Sequence, residues 1–231
     1  MKSITRFSII VMIFLNSLGI VTAQDLSVKS PDGKLNVMIA LSETINWNVV
    51  LDGNVIIEKA IISMNMGDDR VLGASPKLRS QSTESVRETL SVQIPNKDAI
   101  IQNNYNELAL NFKGGYQLLF RAFNDGFAYQ FIDKSPKTKK VVNERLTFTF
   151  PEGSSSFFPQ EESMYSHNER EYINKGMSEF ATGDFCSLPV MFDTKKAKVL
   201  FTESSLHNYP GMFLEKSDNT TMNATFPKYV L

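Results

Sequence analysis

Short runs in which apolar residues alternate with polar ones, separated by turn signals, recur along the chain from Leu26 onward. In the run from Lys34 to Leu41 every second side chain is apolar, which is the period of a strand with one buried face. Tight hairpins are predicted at Asp52-Gly53, Gly114-Gly115 and Asn124-Asp125-Gly126. Together with the absence of an amphipathic helical pattern of useful length, these features predict an all-β sandwich or barrel.

The predicted strands follow from this alternation of residues along the chain. They are 26–29, 34–41, 46–51, 55–57, 87–94, 107–112, 116–123, 127–132, 146–150, 190–193 and 198–203. Residues 226–231 are predicted to begin a further extended segment, which would leave an edge strand without its partner.

The N-terminus is predicted to be a secretory signal peptide spanning residues 1–23. Lys2 and Arg6 give a positive start, an apolar run extends from Phe7 to Leu18, and small residues precede Gln24. An N-terminal membrane anchor is the alternative, although the run is short for a span. We therefore expect a mature domain of residues 24–231, with no membrane span, in a secreted or periplasmic location in a Gram-negative bacterium.

Charge and cysteine content exclude several classes of protein. The 231 residues carry a net charge of −1, whereas nucleic acids and anionic membranes attract basic surfaces. The only cysteine, Cys186, is expected to be a buried structural thiol, so neither disulfides nor a cysteine-rich zinc site is predicted. With two histidines in the chain, a metal site built from imidazoles is not expected.

Two segments combine residue types that are suited to a functional site. The segment 160–172 mixes acids, amides and aromatics, which suits sugar hydroxyls and sugar faces, but such a segment is equally typical of a solvated loop. The segment 201–212 places Glu203 at a predicted strand end, where a carboxylate is suited to a hard cation such as calcium. One carboxylate does not make a calcium site, and a plain surface glutamate is the alternative.

Three stretches, in this order and at these distances, resemble the N-terminal domain of glycoside hydrolase family 97. They are Ser30-Pro31-Asp32-Gly33-Lys34-Leu35, the segment from Phe120 to Tyr129, and the segment from Thr202 to Met212. The last is the most specific of the three. The resemblance extends from about Leu26 to the end of the chain.

The resemblance implies an antiparallel β-super-sandwich like that of aldose mutarotases, incomplete at its C-terminus and followed in the family by a catalytic (β/α)8 barrel. It implies a secreted, calcium-dependent hydrolase of α-glucosides or α-galactosides, with catalytic carboxylates in the barrel. By motif, Glu203 corresponds to the calcium ligand that the domain lends to the active site. Asn168, Glu169 and Tyr209 are expected to bind the α-linked oligosaccharide. The chain alone is expected to be inactive.

Departures from the family pattern keep other functions open. Gln130 stands where the family usually has arginine, and the barrel lies outside the 231 residues. A free-standing carbohydrate-binding sandwich is one rival, which would need a complete sheet and an exposed aromatic platform. An aldose mutarotase is another, which would need a catalytic histidine and glutamate in its cleft.

Overall fold

A computed structural model describes residues 26–94, 97–136 and 139–228 of the protein. The predicted signal peptide, residues 1–23, lies outside this part. The described chain is built from antiparallel strands, with one short 3-10 helix at Met177–Glu179, and this confirms the predicted all-β class. No helix within these ranges is long and apolar enough to cross a membrane.

A nine-stranded sheet forms one layer of the sandwich. Its strands, numbered in chain order with those of the other sheets, are β1 (Leu26–Lys29), β2 (Leu35–Leu41), β3 (Ile45–Leu51), β4 (Asn54–Asn65), β5 (Val71–Leu72), β10 (Asn143–Thr149), β13 (Phe185–Cys186), β16 (Phe213–Lys216) and β17 (Thr221–Thr225). They are ordered β1-β2-β3-β4-β10-β17-β16-β13, and β5 pairs with β4.

Two four-stranded sheets complete the fold. Sheet I contains β6 (Leu78–Ser91), β7 (Ile100–Phe112), β8 (Tyr116–Ala122) and β9 (Phe127–Asp133), in that order. Sheet II contains β11 (Ser155–Pro159), β12 (Tyr172–Gly176), β14 (Val190–Asp193) and β15 (Lys198–Phe201), ordered β12-β11-β14-β15.

Both four-stranded sheets pack on the same face of the nine-stranded sheet. Ala60 of β4 pairs with Trp47 of β3 on one side and Phe148 of β10 on the other, so these side chains share a face. The Trp47 ring lies 5.0 Å from the Phe127 ring of sheet I, and the Phe148 ring stacks 5.1 Å from the Phe201 ring of sheet II. The inner face of β10 therefore lies near the seam where sheets I and II meet.

The turn at residues 30–33, in the first family-like stretch, contacts the second stretch. Gly33, at φ 77°, donates its amide to the Ser30 carbonyl, a left-handed geometry that glycine adopts without strain. The backbone amide of Asp32 donates a 3.0 Å hydrogen bond to the side-chain oxygen of Asn124, in the predicted hairpin turn between β8 and β9. This hydrogen bond links residues 92 positions apart at the surface, between the large sheet and sheet I.

Several strand bounds differ from the predictions. The strand predicted at 87–94 overlaps β6 only at residues 87–91; β6 begins at Leu78 and is exposed along most of its length, so no alternation marks its start. The strand predicted at 198–203 ends at Phe201. Strand β17 has neighbours on both sides, and the extended segment predicted at 226–231 is described only as far as Lys228.

Cys186 lies in β13 and is fully buried, as expected of a structural thiol. Burial raises the pKa of the Cys186 thiol well above its usual range. A thiol in this environment stays protonated at neutral pH and is a poor nucleophile.

Candidate functional site

Two candidate loops leave the same end of sheet II. The first loop, residues 160–171, joins β11 to β12, where Pro159 pairs with Tyr172. The second loop, residues 202–212, follows β15, whose last residue, Phe201, pairs with Val190 at the start of β14. Since β11 and β14 are paired side by side, both loops emerge at the same end of the strands, which we call the loop edge of sheet II. The fold therefore brings together two segments that are about 40 residues apart in sequence.

Glu203 closes the second loop through its carboxylate. The Met212 backbone amide donates a 2.7 Å hydrogen bond to Glu203 Oε1, which links the two ends of the loop. The side chain is partly buried, and its burial raises the pKa of the carboxyl above the ordinary value. The Met212 amide opposes that rise, while the negative charge of Glu144 adds to it.

Glu144 is a second carboxylate beside this loop, and the sequence analysis did not single it out. It lies at the start of β10, and its Oε2 accepts a 2.7 Å hydrogen bond from the Tyr209 hydroxyl. Its Oε1 accepts a 3.3 Å hydrogen bond from the Tyr129 hydroxyl. Burial raises the pKa of Glu144, and the two hydroxyls oppose the rise.

The position of Glu144 in the strand pattern could have revealed it. Glu144 is in phase with Leu146 and Phe148, which are buried on the inner face of β10. A carboxylate at an apolar position of an alternating strand marks a buried polar group that needs partners. Such a residue merits attention as a site candidate whenever loops of unknown role lie nearby.

The first loop is held at its base by a buried ion pair. Arg170 Nε lies 2.8 Å from Glu161 Oε2, and the Glu161 side chain has no exposed surface. Arg170 also donates to the Ser166 hydroxyl at 3.0 Å. Between these anchors, Asn168 and Glu169 are exposed to solvent. The predicted sugar-binding side chains are thus presented on the outer part of a loop with a fixed base.

Both loops contact the segment that follows β17. The Tyr165 hydroxyl of the first loop donates a 2.6 Å hydrogen bond to the Lys228 carbonyl. The Tyr209 ring of the second loop meets the Phe226 ring edge-on at 6.2 Å. The hydroxyl of Tyr209 is engaged by Glu144, so its ring, rather than its hydroxyl, is the part available to a ligand.

The chemistry of this edge suits a hard cation better than a transition metal. Glu203 forms no ion pair with a lysine or arginine of the described chain. Oxygen donors of this kind are the ligands that calcium prefers. In the described ranges no three His, Cys, Asp or Glu side chains converge to hold a metal, so most ligands of a calcium ion at Glu203 would come from elsewhere. Glu203 therefore fits the role of one contributing ligand of a calcium ion.

Comparison with known proteins places the chain in a family. The sequence profile described as "Glycosyl-hydrolase 97 N-terminal" matches residues 28–228. The chain belongs to this family. This family 97 domain is 29% identical over 237 residues to a retaining alpha-galactosidase from Bacteroides thetaiotaomicron, an alignment that covers 96% of the chain and 36% of the relative.

Solved structures share the fold of the family 97 domain. A glycoside hydrolase family 97 enzyme from Pseudoalteromonas sp. strain K8, in complex with acarbose, superposes with a TM-score of 0.76 at 17% identity over 87% of this chain and 32% of that one. A beta-arabinopyranosidase superposes with a TM-score of 0.76 at 23% identity over 89% of this chain and 36% of that one. The chain thus spans about a third of the length of the relatives it matches.

Proposed function

We propose that this family 97 domain is the N-terminal part of a secreted, calcium-dependent α-glycoside hydrolase that acts on α-glucosides or α-galactosides. In the complete enzyme it packs on a catalytic (β/α)8 barrel and lends Glu203 to a calcium site. One observation supports this most: a partly buried carboxylate, with no cationic partner in the described chain, lies at the sheet edge that also carries the exposed Asn168 and Glu169.

Glu203 would hold the calcium ion with an oxygen ligand. When bound there, calcium would supply a positive charge that stabilises negative charge developing on the substrate. The Met212 amide keeps the Glu203 carboxylate in one place, and no lysine or arginine of the described chain pairs with it. We assign proton transfer to carboxylates of the barrel.

Asn168, Glu169 and Tyr209 would contact the sugar. The amide and carboxylate of the first two can bond hydroxyl groups, and an aromatic ring can pack on the apolar face of a sugar. The ion pair between Arg170 and Glu161 fixes the loop that presents Asn168 and Glu169. A fixed loop loses less conformational entropy when a ligand binds.

The outer face of sheet II is the surface we assign to the barrel. Leu200, Met191 and Phe157 pair in a row across three strands, on the face away from the core. Leu200 is 62% exposed, although it is a large apolar side chain in the middle of a strand. A barrel covering this row would also reach both candidate loops, because they leave the edge of the same sheet.

The proposal is tested by enzymology and calorimetry on the 231-residue chain. We expect no turnover of aryl α-glucosides or α-galactosides, because the catalytic carboxylates belong to the barrel. Turnover would refute the assignment of those carboxylates to the barrel. We also expect no saturable heat with maltooligosaccharides or α-galactosides. Tight saturable binding would favour the rival, a free-standing carbohydrate-binding sandwich, for which the full pairing of β17 on both sides is one favourable observation.

A further inference from the structure

Glu144 lies where the three sheets meet. Its own strand, β10, belongs to the nine-stranded sheet, while Tyr129 comes from β9 of sheet I. Tyr209 comes from the second loop, which follows β15 of sheet II. A single carboxylate thus joins side chains from all three parts of the sandwich at the seam.

The two tyrosines use separate oxygens of this carboxylate. Tyr209 donates to Oε2 at 2.7 Å, whereas Tyr129 donates to Oε1 at 3.3 Å. Both bonds go to the same carboxylate, so the shorter one, from Tyr209, is the stronger of the two. The stronger bond belongs to the tyrosine of the loop, and the weaker one to a tyrosine that the core already holds.

Packing does not fix the middle of the second loop. Residues 204–208 are exposed. Ser205 and Asn208 have φ values of 60° and 53°, in the left-handed region that residues other than glycine adopt infrequently. The described side-chain bonds of the loop that reach beyond a single residue are those from Met212 to Glu203 and from Tyr209 to Glu144. The first closes the loop on itself, and of these two bonds the second is the one that reaches the sandwich. Packing adds the contact between the Tyr209 and Phe226 rings and the burial of Met212 at the end of the loop.

We propose that Glu144 is the positioning residue of the second loop, and that through Tyr209 it places the Glu203 carboxylate before any cation arrives. Glu144 touches neither metal nor sugar in this role. The claim that this placement prepares a calcium ligand rests on the proposed function of Glu203. The claim that Glu144 orders the loop does not, since it concerns the free domain.

Hydrogen exchange in the free chain, without added cation or sugar, tests the proposal. Tyr209→Phe removes the hydroxyl of the loop, and Tyr129→Phe is its matched control, because it removes the other hydroxyl from the same carboxylate. We expect the amide of Met212, which bonds Glu203, to exchange about tenfold faster in Tyr209→Phe and at close to the wild-type rate in Tyr129→Phe. Amides in β7 and β8 should exchange at the wild-type rate in both variants.

Two substitutions of Glu144 test whether its hydrogen-bond acceptor positions the loop. Glu144→Gln keeps an oxygen acceptor for Tyr209, so exchange of the Met212 amide should stay within about threefold of wild type, whereas Glu144→Ala should match Tyr209→Phe. If Glu144→Ala also speeds exchange in β7 and β8, this variant disturbs the whole sandwich. The comparison of Tyr209→Phe with Tyr129→Phe then decides whether the hydrogen bond from Tyr209 orders the loop.

The proposal is overturned if Tyr209→Phe leaves the Met212 amide at the wild-type exchange rate, or if Tyr129→Phe speeds it equally. Failure of Glu203 to bind calcium would refute the proposed function without altering these exchange rates. The two ideas therefore fail separately.

Discussion

Arg170 Nε lies 2.8 Å from the Oε2 oxygen of Glu161, and the pair closes the base of the loop that carries Asn168 and Glu169. The Glu161 side chain is fully buried and Arg170 is 19% exposed, so water screens this pair poorly. Glu161 Oε1 has no hydrogen-bond partner in the described chain, which makes the carboxylate still more dependent on Arg170.

Removing Arg170 should destabilise the domain more than removing both partners. Arg170→Ala leaves an uncompensated buried carboxylate, for which we expect a loss of about 3 kcal/mol in the free energy of unfolding. The double variant Glu161→Gln with Arg170→Met should lose less. Urea unfolding measures both, and Lys198→Ala, which breaks an exposed pair with Asp193, is the control expected to show no measurable change. Equal losses in the single and double variants would show that the charge of Glu161 is not the cause.

Two adjacent residues of β15 test the assignment of faces in sheet II. Phe201 stacks on Phe148 in the core, so Phe201→Ala should cost about 3 kcal/mol of unfolding free energy. Leu200 points to the outer face, and Leu200→Ser should change that free energy by no more than about 0.5 kcal/mol. Thermal or urea unfolding of the two variants checks this. A large loss for Leu200→Ser would mean that its side chain is already covered in the free domain.

The pH dependence of stability should carry a contribution from Glu144. Burial raises the pKa of its carboxyl above 4.5, so the folded chain binds more protons at this group than the unfolded chain does. The free energy of unfolding therefore falls as pH rises from about 4.5 through the raised value. Glu144→Gln should flatten this part of the profile measured by urea unfolding. An unchanged profile would mean that hydrogen bonds from the tyrosines fully offset the burial.

The sequence predicted those parts of the fold that local patterning encodes. The alternation in residues 34–41 predicted a strand with one buried face, and Leu35, Val37 and Ile39 are buried. The turn at residues 30–33 carries its own signals in proline and glycine. The first part of strand β6 was not predicted, because the strand is exposed on both faces along most of its length and its sequence therefore has no period of two.

The candidate site was only partly accessible to sequence reasoning. Glu203 could be named because the resemblance of residues 202–212 is carried by contiguous residues. Its partners could not, since Glu144 lies 65 positions before Tyr209 and no local pattern encodes such a contact. The ion pair of Glu161 and Arg170 was also missed, because a carboxylate in a loop reads as solvated until its burial is known.

Calcium-dependent thermal stabilisation of this domain joined to its catalytic barrel tests the central claim most directly, because the barrel would supply the other calcium ligands. A site with a dissociation constant near 1 mM, as in weak extracellular calcium modules, would stabilise the folded domain by about 1.4 kcal/mol at about 10 mM calcium. We expect the melting temperature to rise with calcium and less with magnesium, which demands a stricter geometry. The rise should vanish in Glu203→Gln and persist in Glu152→Gln, a matched change at an exposed glutamate. An equal rise in wild type and Glu203→Gln, or none in wild type, would contradict the assignment of Glu203 as a calcium ligand.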